Sequence, residues 1–257
     1  MSEITEALTL IENQHIPAVI CIVTRTSGST PRKAGSKMIV YQDETIKGSI
    51  GGGGIEHQVI KEAVHLLSSG GGIQTKSFNL LDDLKMQCGG SMEVYFEPIV
   101  SPPRLCIFGG GHIGMALAGY ASGLGFRVTV IDPREGIFNG WAQLNCQKRN
   151  EDYFQVADSL EFNKNTYLVI VTHQHEFDEK LLLYLINKEY AYLGMIGSKR
   201  KVAEMSKRAL ETGSISPELL SRVDMPIGIP FAAETPAEIA ISIVAKLIDV
   251  KNILNKS

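Results

Sequence analysis

Apolar residues in the second half of the chain form short runs that are separated by longer amphipathic stretches. The short runs predict strands over 104–109, 127–132, 167–172 and 190–196, with a shorter one near 145–149. The stretches between them predict helices near 112–124, 177–188, 198–211 and 236–252. Strands that alternate with helices predict a parallel sheet covered on both faces.

The last of these helices has the clearest start. Thr235 is expected to be its N-cap, Pro236 occupies the first helical position and Glu238 completes a capping box. An apolar stripe follows at helical spacing, which predicts that one face of this helix is buried.

The first half of the chain lacks the regular alternation of strands and helices that the second half shows. It predicts helices over 3–13 and 55–67, and strands over 17–25, 37–42, 45–49, 74–80 and 92–97. Prolines cluster between residues 98 and 103, where the two patterns meet, and such clusters are typical of linkers. The chain is therefore predicted to have an N-terminal α+β domain over residues 1–100. A Rossmann-like domain with a doubly wound parallel sheet is predicted over residues 101–257.

Composition narrows the class of protein. The net charge is −3 over 257 residues, which does not favour binding to nucleic acid or to an anionic membrane. The first twenty residues have no basic region of the signal-peptide type, and no apolar run approaches the ~20 residues of a membrane span. The four cysteines form no CxxC pair, so a disulfide framework or a zinc site is not expected. A cytoplasmic protein is expected.

A glycine-rich loop joins the first strand and helix of the second domain. Gly109, Gly111 and Gly114 have the GxGxxG spacing, and Asp132 ends the next strand 18 residues after the third glycine. Such a loop places backbone N–H groups against a pyrophosphate, and the acid is expected on ribose hydroxyls. His112 lies at the mouth of this loop and is either a phosphate or proton contact or an ordinary helix-start residue. The arrangement predicts a Rossmann unit with NAD(P) as its candidate cofactor.

Three segments of the first domain contain more glycine and polar residues than turns require, namely residues 26–35, 48–56 and 86–91. The second contains four consecutive glycines at a predicted helix start: Gly51, Gly52, Gly53 and Gly54. Their N–H groups suit a phosphate or another anion, and Arg32 and Lys33 can add positive charge. The alternative is a flexible loop with solvated basic residues.

Cys88 precedes Gly89 in the third segment. A thiolate there can bind a soft metal or attack an electrophile, and the alternative is a small buried apolar residue. Cys21 and Cys106 lie inside apolar strands and are predicted to belong to the core.

Two further segments follow predicted strands of the second domain. His173, His175 and Asp178 lie where ligands bind in parallel sheets, and they are candidates for metal binding or proton transfer. A polar surface loop is the alternative. Residues 194–201 end in a basic cluster, which is either an anion site or a solvated helix face.

The combined motifs resemble the xanthine dehydrogenase accessory protein family of the XdhC/CoxI type over nearly the whole chain. The residues that carry the resemblance are Ser27–Arg32, Gly35, Gly51–Gly54, Glu56, Cys88–Gly90, Glu97–Pro98, Gly109–Gly114, Ile131–Arg134, Thr172–His173, Asp178, Gly194–Lys201 and Thr235–Ala240. Their order and combination are much more specific than any one motif.

This resemblance implies a chaperone that binds the molybdenum cofactor, a molybdopterin, and delivers it to a molybdenum hydroxylase such as xanthine dehydrogenase. It also implies a homodimer, and a cysteine desulfurase as a further partner. The family's loop cysteine corresponds to Cys88, where a contact with molybdenum through the cofactor is expected, and its glycine-rich segment corresponds to Gly51–Gly54. Arg32, Gly89 and His173 complete the expected cofactor contacts, and no catalytic residue is expected.

The alternative function is an NAD(P)-dependent oxidoreductase that acts on a small molecule. Asp132 favours NAD over NADP, because a carboxylate repels a 2′-phosphate, whereas Arg134 weakens that preference. No clear catalytic acid–base pair flanks the position expected for a nicotinamide. The sequence therefore favours a carrier.

Overall fold

The computed structural model describes residues 3–14, 16–80, 89–99 and 102–254. The chain divides into two compact units, Met1–Ser101 and Pro102–Ser257. The predicted fold class is confirmed, because the second unit contains a parallel six-stranded sheet with helices and the first is an α+β unit.

The first unit contains, in chain order, α1 (Glu3–Gln14), β1 (Ala18–Ser27), β2 (Lys37–Tyr41), β3 (Ile46–Gly48), α2 (Gly53–Ser69), β4 (Gln74–Asn79) and β5 (Ser91–Ile99). Its sheet is antiparallel, with the order β3-β2-β1-β5-β4. Alternate residues of β1 reach opposite faces, as the strand period requires. Val19, Cys21 and Val23 pack into the core that contains α2, whereas Ala18 and Ile20 pack into the core that contains α1.

The second unit contains β6 (Arg104–Phe108), α3 (His112–Ser122), β7 (Arg127–Ile131), β8 (Gln147–Arg149), α4 (Tyr153–Ser159), β9 (Thr166–Ile170), α5 (His175–Leu185), β10 (Tyr192–Met195), α6 (Lys199–Glu211), α7 (Pro217–Ser221), β11 (Val223–Asp224) and α8 (Pro236–Leu254).

The strands of the second unit are all parallel, with the order β11-β10-β9-β6-β7-β8. This is the strand order of dinucleotide-binding Rossmann domains. Leu105 and Ile107 face a core built with α3 and α8, whereas Cys106 and Phe108 face the core that contains α4, α5 and α6. The winding direction reverses between β6 and β9, and ligands bind at such a switch point.

The structure differs from the predicted elements in the shortest pieces. α4, α7 and β11 were not predicted, because elements of two to seven residues are too short to show a hydrophobic period. The helix predicted from residue 55 begins at Gly53, inside the glycine run. The helix predicted from residue 177 begins at His175.

The predicted start of α8 is confirmed. The Glu238 carboxylate accepts a hydrogen bond from the Thr235 N–H at 3.0 Å, and the Glu238 N–H donates to Thr235 Oγ1 at 3.3 Å. This reciprocal pair is the capping box that the sequence indicates. Within the residues described above, no helix is long and apolar enough to cross a membrane.

Candidate functional site

The glycine loop of the second unit brings α3 close to the ends of β6 and β9. A Cβ atom on Gly109 would lie 2.2 Å from the carbonyl oxygen of Val171, and one on Gly114 would lie 1.9 Å from the carbonyl oxygen of Gly109. Gly109 also has a φ of 123°, which disfavours other residues. Both glycines are therefore required by close packing, whatever ligand the loop binds. His112 is the first residue of α3 and is exposed.

Both oxygens of the Asp132 carboxylate accept hydrogen bonds from other groups of the protein. This residue follows β7, is fully buried and accepts a hydrogen bond from the Gly110 N–H at 2.8 Å. Arg134 donates to it from its backbone N–H at 3.0 Å, from Nε at 2.9 Å and from one terminal nitrogen at 2.7 Å. Burial alone would raise the pKa of Asp132, but the hydrogen bonds from Arg134 and Gly110 outweigh it and lower the pKa. Asp132 therefore has no free oxygen for a ribose while Arg134 holds this position.

The segment after β7 covers the glycine loop at Gly110. A Cβ atom there would lie 3.3 Å from Ile137 Cγ1 and 3.2 Å from Phe138 Cε1. Arg134 also lies beside Gly111, because its terminal nitrogen would be 3.9 Å from a Cβ on that glycine. A dinucleotide in the expected position would thus meet Arg134 and the two apolar side chains that follow it.

A second group of buried polar side chains lies at the ends of β9 and α5. The Thr172 N–H and hydroxyl donate to Asp178 Oδ1, at 3.0 Å and 2.7 Å. Asp178 is only 2% exposed, and its Oδ2 has no hydrogen-bond partner among the residues described. The hydroxyl of Tyr153, which is fully buried, also has none in that part of the chain. Native interiors leave few such atoms, so each requires an explanation.

Burial and neighbouring charges shift the pKa values of both Asp178 and Tyr153. Burial raises the pKa of Asp178, and the hydrogen bonds from Thr172 and the contact of His175 Nδ1 with Oδ2 only partly oppose this rise. Burial also raises the pKa of Tyr153, and the negative charge of Asp132 raises it further. The Asp178 carboxylate is thus the group in this region that gains most from a new hydrogen-bond donor.

Asp178 lines a cleft of about 160 Å³ between α5 and α6. His175 Nδ1 lies 3.4 Å from Asp178 Oδ2, and the Lys201 Nζ lies 2.6 Å from His175 Nε2. Met195 and Met205 supply apolar walls. The cleft therefore combines a buried acidic group, an apolar wall and a basic group at its opening.

In the first unit, the three glycine-rich segments meet at one place. A Cβ atom on Gly28 would lie 3.1 Å from the Gly89 carbonyl oxygen, and one on Gly90 would lie 2.5 Å from the Ser27 carbonyl oxygen. One on Gly51 would lie 2.6 Å from Pro31 Cγ. Residues that are distant in sequence thus form one glycine-rich surface, to which the exposed Arg32 belongs.

A glutamate of the same segment already occupies part of this glycine run. Glu56 accepts hydrogen bonds from Ser49 Oγ at 2.6 Å and from the N–H groups of Ile50 and Gly51 at 3.1 and 3.2 Å. Burial would raise the pKa of Glu56, but these bonds and one from the Gly52 N–H hold it below the usual value. Gly52, the N-cap of α2, provides no side-chain cap. An anion would therefore use the N–H groups of Gly53 and Gly54 at the start of α2.

Of the four cysteines, two are fully buried, Cys146 is partly buried and Cys88 is not described. Cys21 and Cys106 are buried, as predicted, and burial raises the pKa of each thiol to about 12. Cys88 lies outside the described residues, so its contact with molybdenum stays a prediction.

The structure does not support a metal site at the histidine pair. His173 is exposed, with its ring 5.9 Å from that of Phe177. Among residues 3–14, 16–80, 89–99 and 102–254, no three side chains of His, Cys, Asp or Glu form a group that could hold a metal ion. In that part of the chain the metal alternative for His173, His175 and Asp178 therefore gains no support and stays a prediction.

Sequence reasoning missed three features of these sites. It did not predict that Tyr153 is buried beside Asp132, that Arg134 occupies that acid, or that Glu56 fills part of the glycine run. The only sequence feature that could have indicated the contact between Arg134 and Asp132 is their spacing of two residues. In the sequence analysis that spacing served only to weaken the preference for NAD.

Two protein families match the chain. The XdhC Rossmann domain matches residues 105–247, and the XdhC and CoxI family matches residues 11–79. Together they cover parts of both units.

Two curated relatives and one solved structure are similar to this chain. The "Uncharacterized protein YqeB" of Escherichia coli K12 is 32% identical over 98% of this chain and 47% of its own length. A Bacillus subtilis 168 protein, named as a probable subunit of xanthine dehydrogenase, is 29% identical over 62% of this chain and 46% of its own length. A Bacillus halodurans structure described as a xanthine dehydrogenase shares the fold, with a TM-score of 0.53 and 23% identity over 98% of this chain and 96% of that one. The chain spans about half the length of the curated relatives it matches.

Proposed function

The chain belongs to the XdhC and CoxI family, and from this membership we propose that it is an accessory protein of a molybdenum hydroxylase such as xanthine dehydrogenase. In this role it binds the molybdenum cofactor, protects it and delivers it to the enzyme. The similarity to a protein named as a probable xanthine dehydrogenase subunit supports a partner of that kind. A homodimer and a cysteine desulfurase partner belong to the same proposal.

The chemistry of the cofactor fits groups that the structure leaves available. The cofactor is a pterin with a dithiolene and a terminal phosphate, and it supplies the molybdenum centre that the partner enzyme uses. In the second unit, Asp178 Oδ2 is a buried acceptor without a donor in the described part of the chain, which suits the N–H groups of a pterin. In the first unit, the start of α2 and Arg32 offer donors to a phosphate. Cys88 stays the predicted soft contact.

The hydrogen bonds of the Asp132 carboxylate favour one of the two candidate functions. In an NAD(P)-dependent oxidoreductase this position binds the ribose. Here both of its oxygens accept hydrogen bonds from Gly110 and Arg134, and the carboxylate is fully buried. The carboxylate expected on the ribose is thus engaged by the protein's own groups, whereas Asp178 Oδ2 lacks a hydrogen-bond donor among the described residues. This contrast supports a carrier over a dehydrogenase.

Mass spectrometry of the small molecules released from the full-length protein tests this function. The protein is purified from a molybdenum-replete cell under anaerobic conditions, and a molybdopterin or its oxidation product is expected. A parallel scan with NADH and NADPH against candidate acceptors is expected to show no turnover. Release of NAD(P) without any pterin, together with hydride transfer at enzyme-like rates, would show that the protein is an oxidoreductase instead.

A further inference from the structure

The cleft between α5 and α6 contains a carboxylate oxygen that is ready to accept hydrogen bonds. Thr172 satisfies Asp178 Oδ1 with two donors, so Oδ2 is the oxygen that remains. His175 Nδ1 lies 3.4 Å from it, and the His175 side chain is 60% exposed and thus able to rotate towards solvent. An ionised carboxylate is an acceptor only. A ligand that places N–H groups against Oδ2 would therefore satisfy it.

The opening of the cleft carries charges of both signs. Lys201, Arg208, Glu179 and Glu204 line the cleft, and Arg208 is paired with Glu179. Arg200, which does not line it, is paired with Glu204. Lys199, Arg200 and Lys201 form the first turn of α6, which contains no acidic residue. Cations are unfavourable at a helix N-terminus, because the aligned peptide dipoles make it positive. Lys201 contacts His175 and forms no ion pair with a carboxylate in the part of the chain that the structure describes. Lys201 is therefore the cation at this opening with which an anionic group on a ligand can pair.

The size and walls of the cleft suit a ring system. Met195, Ile196, Val202 and Met205 supply apolar surface along a volume of about 160 Å³. An engineered apolar cavity of about 150 Å³ in another protein holds benzene. This cleft is open on one side, so a planar ring can lie inside it while the rest of the molecule extends past Lys201.

We propose that this cleft binds a phosphorylated heterocycle that presents a ring N–H beside an exocyclic amine, with these donors on Asp178 Oδ2 and the phosphate at Lys201. Guanine and pterins share this edge. Adenine does not, because a ring nitrogen acceptor lies beside its amine and would face the carboxylate. The pterin source rests on the proposed function, whereas the guanine source does not.

Calorimetric titration of the full-length protein with four probes tests the inference. The probes are neopterin, neopterin monophosphate, GMP and AMP. We expect neopterin monophosphate or GMP to bind at least tenfold more tightly than AMP. Asp178→Asn is expected to weaken binding of both neopterin forms by at least about tenfold, the lower end expected for a hydrogen bond to a charged group. Lys201→Gln is expected to weaken only the phosphorylated probes.

Asp249→Asn is the matched control, because Asp249 is half-exposed on α8 and does not line the cleft. It is expected to bind every probe as the wild type does. The inference is overturned if no probe binds, if AMP binds as tightly as both neopterin monophosphate and GMP, or if Asp178→Asn leaves the affinities unchanged. Thermal unfolding of each variant shows whether a loss of binding reflects a loss of folded protein.

The molybdopterin content of the same preparations separates this inference from the proposed function. If the wild type and Asp178→Asn both retain molybdopterin in equal amounts and Asp178→Asn also binds GMP as tightly as the wild type, the inference fails and the proposed function stands. If the wild type retains none but binds GMP through Asp178, the proposed function fails and the inference stands.

Discussion

Replacement of Asp178 by asparagine is expected to stabilise the protein at neutral pH. The carboxylate is 2% exposed, and one of its oxygens has no donor among the described residues. A buried acceptor without a donor costs about 1–3 kcal/mol. Asparagine keeps the oxygen to which Thr172 donates and replaces the buried carboxylate with a neutral amide. The substitution therefore removes the charge that burial disfavours, while the new amide N–H group requires His175 to turn a ring nitrogen without hydrogen towards it.

The helix dipole reduces this gain. Asp178 lies in the first turn of α5, where a negative charge contributes about 0.3–1 kcal/mol. The mid-range values, about 2 and about 0.6 kcal/mol, leave a net gain of about 1.4 kcal/mol. Each kcal/mol shifts the Tm of a unit of this size by roughly 2–4 °C, so we expect a rise of roughly 3–6 °C at pH 7. Differential scanning calorimetry of the full-length protein measures it.

The pH dependence of this difference checks its cause. Because folding raises the pKa of Asp178 above that of the unfolded chain, the protonated residue is favoured in the folded state. The stability that this provides is fully present below the unfolded pKa of about 3.9 and is lost as the pH rises through the folded pKa. The gain from asparagine should therefore be large at pH 7 and small near pH 4. Asp249→Asn, on an exposed helix face, should change the free energy of unfolding by less than about 0.5 kcal/mol at pH 7. An Asp178→Asn protein that melts below the wild type at pH 7 would refute this reasoning.

Three other changes have expected outcomes. Arg134→Ala leaves the buried Asp132 carboxylate without its cation. It should therefore lower the free energy of unfolding of the second unit by about 2–3 kcal/mol, as measured by urea titration. An unchanged urea midpoint would show that this ion pair does not stabilise the protein. Glu56→Gln should cost the first unit about 1–2 kcal/mol at pH 7. Folding lowers the pKa of Glu56, so the stability that its ionised carboxylate provides is present above the unfolded pKa and should disappear as the pH falls through the folded pKa. If Glu56→Gln is still less stable than the wild type at the lowest pH, the ionised carboxylate is not the cause of the difference. Cys21 and Cys106, whose pKa values burial raises to about 12, should resist iodoacetamide at pH 8 until urea is added, and mass spectrometry of the peptides would expose any labelling of the native protein.

The Rossmann architecture could be predicted because its signals are local. The spacing of Gly109, Gly111 and Gly114, the apolar strands on either side and the capping box at Thr235 each lie within a few residues of the element they specify. The structure explains two of these glycines by close contacts with neighbouring backbone. Such packing requirements hold with or without a ligand, so the loop predicts the fold better than it predicts a bound dinucleotide.

The chemistry of the sites depended on contacts that the sequence does not specify. Arg134 could equally have pointed to solvent, and only the structure places its guanidinium on Asp132. Glu56 was expected as part of a family motif, but its hydrogen bonds to Ile50 and Gly51 require the turn of the glycine run. Tyr153 is buried because α4 packs onto the sheet, and a helix of seven residues gives too little pattern to reveal its buried face.

The metal content of the partner enzyme tests the central claim most directly. A molybdenum hydroxylase is purified from cells that contain this protein and from cells that lack it, and the molybdenum and molybdopterin per enzyme polypeptide are compared. We predict normal amounts of enzyme polypeptide with a severe loss of both in the cells that lack this protein, and recovery when its gene is returned. A fully loaded hydroxylase from cells without this protein would contradict the account.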